Sequence, residues 1–178
     1  MTARDFGTGG VEGFVIPDWE EILIRTRIEP DSSVRDGAGL PQLLKRVADL
    51  AKRELLTCQE FTTTYTGFSS EKRFVIDGLP PYGPNRADAV FEVHRILERL
   101  GPEVVFVVDI VRCSDRVLGT QHRLVVAGRA ARRRECSISM TIARGPGGGW
   151  KFVGGKEVRD SERGHHVHIP SLFWEATP

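Results

Sequence analysis

Three of the five histidines fall within four consecutive positions late in the chain: His165, His166 and His168, in the stretch "SERGHHVHIP" of residues 161–170. On an extended strand, residues two apart face the same way. His166 and His168 would therefore project together, while His165 would point with Val167 and Ile169. Two imidazoles in a His-x-His pair can hold Zn²⁺, but a site needs a third or fourth ligand. Asp160, Glu162 or His122 could supply one, none of them at a diagnostic spacing, so neither a metal nor another cofactor is expected. The same pair would also serve as a pH-sensitive contact or as the ordinary polar face of a strand.

Acid–base chemistry has two further candidates, Asp109 and His122. Asp109 interrupts the apolar run of residues 104–111, on the strand face of Val105, Val107 and Val111. A carboxylate buried there would hold its proton more tightly and could act as a general acid or base. The alternative is a structural pair with an arginine on a neighbouring strand, or a face that is only partly covered. His122 shares a face with Leu124 and Val126. His94 lies on a helical stripe, where a histidine serves most simply as a core-edge residue. Ser137, Ser139 and Thr141 form a hydroxyl row that could line a polar concavity and reads more simply as a solvent face. No serine or cysteine stands in a nucleophile signature. Cys136 reads as core, and Cys113 as the more exposed thiol.

Arginine supplies a second kind of site. The segment "GRAARRREC" sets Arg129, Arg132, Arg133 and Arg134 in the link between two strands. Their forked donors suit phosphate or carboxylate, which admits nucleic acid or an acidic protein as partner. Recognition of single strands would also call for aromatic stacking partners, and this segment has none. A solvated loop is the plain alternative. The glycine-rich stretches "FGTGG" and "RGPGGGWK" lack the strand-to-helix context of a phosphate loop. The tail of residues 170–178 carries Leu172, Phe173 and Trp174, aromatic and apolar anchors typical of a protein interface.

The totals narrow these choices. A chain of 178 residues with 40% hydrophobic and 28% charged residues fits one domain able to bury a core without staples. Its net charge of +1 provides no global field to draw in nucleic acid or an anionic membrane. Twenty arginines stand against five lysines, a bias that coding composition can produce alone. The three cysteines are widely spaced and odd in number, which points to a reducing, cytoplasmic compartment rather than a disulfide framework. The start of the chain shows no signal-peptide core. No apolar run is long enough to span a bilayer, so no membrane partner is expected.

These side chains must be positioned by elements that the hydrophobic pattern predicts. Residues 1–12 are Gly-rich and expected to be flexible, and residues 13–178 are expected to form a single domain. A strand is predicted over 21–28. A helix is predicted over 40–56, with Leu40, Leu43, Leu44, Val47, Ala51 and Leu55 on one face. A β-hairpin follows in "CQEFTTTYTGF" and "EKRFVIDG". The second helix starts after Asn85, buries Val90, Val93, Leu97 and Leu100, and stops at Gly101-Pro102. Four strands then come in series over 103–112, 120–128, 135–144 and 150–158, joined by links too short for anything but antiparallel neighbours. "HHVHI" would add another strand.

The fold class is therefore α+β: a twisted antiparallel sheet of about five to seven strands, with two main helices packed on one face. In element order it is similar to the cystatin-like and nuclear-transport-factor-like cone folds. That resemblance implies a half-open sheet wrapped around its helices; folds of this kind serve enzymes, binders and assembly subunits alike. The sequence favours a non-catalytic binding or assembly module, a homo-oligomer or a subunit of a larger complex. Its contacts would be the open sheet face, the arginine-rich loop and the aromatic tail. The alternatives are a nucleic-acid binder acting through Arg129, Arg132, Arg133 and Arg134, and a small cone-fold enzyme with an acid–base pocket around Asp109, His122 or the C-terminal histidines.

Overall fold

Periodicity in the sequence becomes nine elements in the computed structural model, which describes residues 24–57, 61–79, 86–115, 119–130 and 134–160. In chain order they are β1 (Arg25–Pro30), α1 (Leu40–Thr57), β2 (Thr63–Phe68), β3 (Lys72–Leu79), α2 (Arg86–Leu100), β4 (Val104–Asp115), β5 (Gly119–Ala130), β6 (Arg134–Arg144) and β7 (Trp150–Asp160). The strands form one seven-stranded sheet in the order β1-β3-β2-β4-β5-β6-β7, and every neighbouring pair is antiparallel. The α+β class and the antiparallel meander stand. The first strand runs Arg25–Pro30, and residues 21–23 of its predicted span lie outside the described residues. The N-terminal segment of residues 1–12, the aromatic tail of residues 170–178 and the extra strand at "HHVHI" lie outside the described residues.

α1 forms because leucine, alanine, lysine and arginine lose little freedom in a helix. Its apolar residues return every three or four positions. Leu40, Leu43, Leu44, Val47, Ala51 and Leu55 are all buried, as the spacing predicts, and Ala48 joins them. On α2 the contact line runs through Ala89, Val93 and Leu97, each fully buried, with Val90 and Leu100 only half-buried. The helix ends where Gly101 takes φ 58°, a left-handed turn that glycine enters without strain. The Gly101 N–H donates to the Leu97 carbonyl at 2.9 Å.

The two helices do not share a face of the sheet, and this corrects the one-face packing and the cone arrangement expected from element order. α1 packs against Phe68, Val104, Phe106, Val108, Leu124, Val126, Cys136, Ile138, Met140 and Ile142. α2 packs in a separate core with Tyr65, Ile76, Leu79, Val105, Val107, Val125 and Ala127. Along β4 the two sets alternate residue by residue, so they lie on opposite faces. The physical reason is in the composition of β4. A strand that is apolar at consecutive positions has two faces to remove from water, and one layer of helix covers only one of them. β4 is also the middle strand of the seven.

Side-chain size fits across this centre. The rings of Phe68 and Phe106 meet edge to face, with centroids 5.9 Å apart, a favoured arrangement for aromatic pairs. Phe106 pairs with Gly128 on β5 and lies over it: a Cβ built on Gly128 would stand 2.2 Å from the ring. Toward the far end of the sheet the β6–β7 register shifts between Met140 and Ile142. Gly154 sits there against Thr141, whose Cβ would be 3.2 Å from an added Cβ.

Candidate functional site

Because α1 packs mainly over β4 to β7, a gap remains between its flank and the β1–β3–β2 side of that sheet face. The result is a cleft of about 280 Å³ between helix and sheet. Its wall is Val47, Leu50 and Ala51, with Glu54 one turn further along α1. Its floor comes from alternate residues of three strands: Arg27 and Glu29, then Arg73 and Val75, then Thr64 and Thr66. The pleat explains the set, since residues two apart on each strand share a face. Register then brings Glu29 opposite Arg73 and Thr66 opposite Val75.

The charges on this floor are matched. Arg73, only 15% exposed, donates to Glu29 across the β1–β3 pair. Arg27 donates to Asp77 at 3.0 Å. Glu54 is exposed and has no ion-pair partner among the described residues. Thr64 donates its hydroxyl to the Thr62 carbonyl at 3.3 Å. Thr66 is buried beside it, and the Arg73 Nε is buried without a hydrogen-bond partner among the described residues.

A second ionic group braces the same end of the sheet. Asp31, whose side chain is 4% exposed, meets Arg46 of α1 at 2.8 Å and accepts the Ser33 N–H at 3.0 Å. Burial pushes its pKa upward. The Ser33 hydroxyl and N–H, with the Arg46 and Arg73 charges, outweigh that burial and hold the carboxyl below the ordinary aspartate value. A depressed folded-state pKa contributes stability that is complete above the unfolded value, about 3.9, and is lost as pH falls through the folded one. Asp31→Asn is expected to lower stability at pH 7 by about 1–2 kcal/mol. In urea titrations the gap between variant and parent should close as pH falls through the depressed folded value; a gap that stays constant with pH would assign the loss to packing instead.

The residues singled out in the sequence do not gather here. Asp109 is half-buried on the α2 face, where its Oδ1 accepts the Thr63 hydroxyl at 3.0 Å and the Ile110 N–H at 2.8 Å. His122 lies on the opposite face, its ring edge-on to Trp150 at 5.6 Å, while the Arg144 guanidinium stacks on that indole 4.0 Å from its centroid. The sheet itself separates Asp109 from His122. His94 is half-buried on α2. Arg129 is 19% exposed and directs its Nε and Nη2 at Glu135 on the paired strand. Arg134 starts β6. Arg132, Arg133, His165, His166, His168, Leu172, Phe173 and Trp174 lie outside the described residues.

The cysteines lie as expected, and the hydroxyl row does not. Cys136 is buried and Cys113 half-buried. The hydroxyl row is not a plain solvent face: Ser137 is buried, and Ser139 and Thr141 are half-buried. Among the described residues no three histidine, cysteine or acidic side chains cluster as a metal site, and no helix is long and apolar enough to cross a membrane.

Sequence reasoning missed the cleft residues. Arg27, Glu29, Thr64, Thr66 and Arg73 each carry a period-two signal, polar side chains repeating on one strand face. What makes them neighbours is the insertion of β3 between β1 and β2, a long-range pairing that no local pattern specifies. No family model matches this chain, and comparison with curated proteins and with solved structures returns no match.

Proposed function

We propose that the protein is a non-catalytic binding module that holds a small molecule in the cleft beside α1. One observation carries this: a concave site of about 280 Å³ with an apolar wall and a polar floor whose two arginines already have carboxylate partners. Pockets that bind small molecules combine an apolar lining with a few fixed polar groups. Pre-paired charges hold their own geometry, which favours recognition of a shape over transfer of a proton. Asp109 and His122, the acid–base candidates, lie elsewhere.

The test is a fragment screen on the full chain, read by amide chemical shifts. Saturable ligands are expected to move Leu50, Thr64 and Thr66, and Leu50→Trp should abolish the effect by filling the mouth. Failure of every fragment to shift those amides would overturn the proposal.

Self-association is a companion reading with its own observation. β7 is eleven residues long, pairs only with β6 among the described residues, and leaves Val153 51% exposed. An open edge of this kind offers backbone groups to another strand. Sedimentation equilibrium should show a dimer that Val153→Lys weakens; a monomer at all concentrations would remove this reading.

A further inference from the structure

We infer that the cleft takes a neutral, hydroxyl-rich ring with one apolar face, a sugar-like or cyclitol-like molecule; the inference rests on the binding reading above.

Volume sets the scale. At about 280 Å³ the space lies just below the usual range of small-molecule pockets, roughly 300–1,000 Å³, which suits a single ring better than a chain or a dinucleotide.

Charge sets the class. Among the lining groups, Arg27 and Arg73 balance Glu29 and Glu54. Arg73 is committed to Glu29 and Arg27 to Asp77. An anion entering the floor would have to displace one of those carboxylates or lie beside it, and both alternatives carry a desolvation and repulsion penalty. A cation would meet Glu54 at the rim but would approach two guanidinium groups further in. The floor offers neither sign an unmatched partner.

Hydrogen-bonding capacity sets the functional group. Donors and acceptors alternate over a short distance: guanidinium N–H groups of Arg27, the carboxylate of Glu54, and the hydroxyls of Thr64 and Thr66. A ligand hydroxyl is donor and acceptor at once and can serve each of these in turn. The Arg73 Nε is buried without a hydrogen-bond partner among the described residues, so a ligand hydroxyl that reaches it satisfies a polar group that folding left open. The facing wall of Val47, Leu50 and Ala51 presents only hydrocarbon, which a ring covers with its C–H face while its hydroxyls point to the floor.

The experiment titrates four probes into the full chain, followed by amide and methyl shifts: methyl glucoside, myo-inositol, inorganic phosphate and putrescine. Methyl glucoside or myo-inositol should saturate the Leu50, Thr64 and Thr66 signals. Thr66→Val, which keeps shape and removes the hydroxyl, should weaken that binding about tenfold, one hydrogen bond's worth. Glu54→Gln, at an exposed site that does not threaten folding, should weaken it less. If phosphate or putrescine saturates those signals and neither neutral probe does, the ligand class is wrong and the binding reading survives. If no probe moves them, this inference falls, and the fragment screen decides whether the binding reading falls with it. Neutral binding that Thr66→Val leaves unchanged also overturns the inference.

Discussion

Gly128→Ala is expected to destabilise the fold by about 3 kcal/mol or more, at or beyond the upper end of the usual penalty for overpacking a core. The cause is local. Gly128 stands opposite Phe106 across β4 and β5, and an added methyl would lie 2.2 Å from the ring edge, with a second ring atom at 2.3 Å. Phe106 is fully buried and packed on Phe68, so it cannot swing away without leaving a hole. Urea denaturation should show the loss as a lower midpoint with unchanged slope. The double variant Gly128→Ala with Phe106→Leu should recover part of it, because residues in contact couple. A Gly128→Ala protein as stable as the parent would mean that the ring does not cover Gly128 in solution.

Leu97→Ala and Leu55→Ala should each cost about 2–5 kcal/mol, the range for emptying a fully buried leucine site. Both side chains are fully buried, one in the α2 core and the other in the α1 core. The informative comparison is between them. With both helices on one face, the two sites would belong to a single core, and the double variant would be open to coupling through shared neighbours. On opposite faces they are divided by the sheet, so the two losses should add to within about 0.5 kcal/mol. Leu56, next to Leu55 but 58% exposed, is the control: Leu56→Ala should change stability by less than about 0.5 kcal/mol. Strong non-additivity between Leu55→Ala and Leu97→Ala would contradict the two-core arrangement.

The β4 run shows how local and tertiary information divide. "VVFVVDIV" was readable as a central strand, and consecutive apolar residues are themselves the mark of burial on both faces. Expecting both helices on one face gave weight to element order over that signal. Arg129 differs in kind. Its charge suggested an external partner, and only the pairing of β5 with β6 revealed Glu135 beside it.

Amino-acid order alone determined the elements of this protein. The three- and four-residue returns of leucine and valine made α1 and α2, alternation and β-branching made the strands, and glycine and proline ended them, all interactions that reach a few residues along the chain. Tertiary structure alone decided that β3 lies between β1 and β2, that each sheet face has its own helix, and that Glu29, Arg73, Thr64 and Thr66 share one cleft. Those outcomes depend on which strands bury the most apolar surface together across dozens of residues. That is a property of the whole chain's packing and of no segment within it.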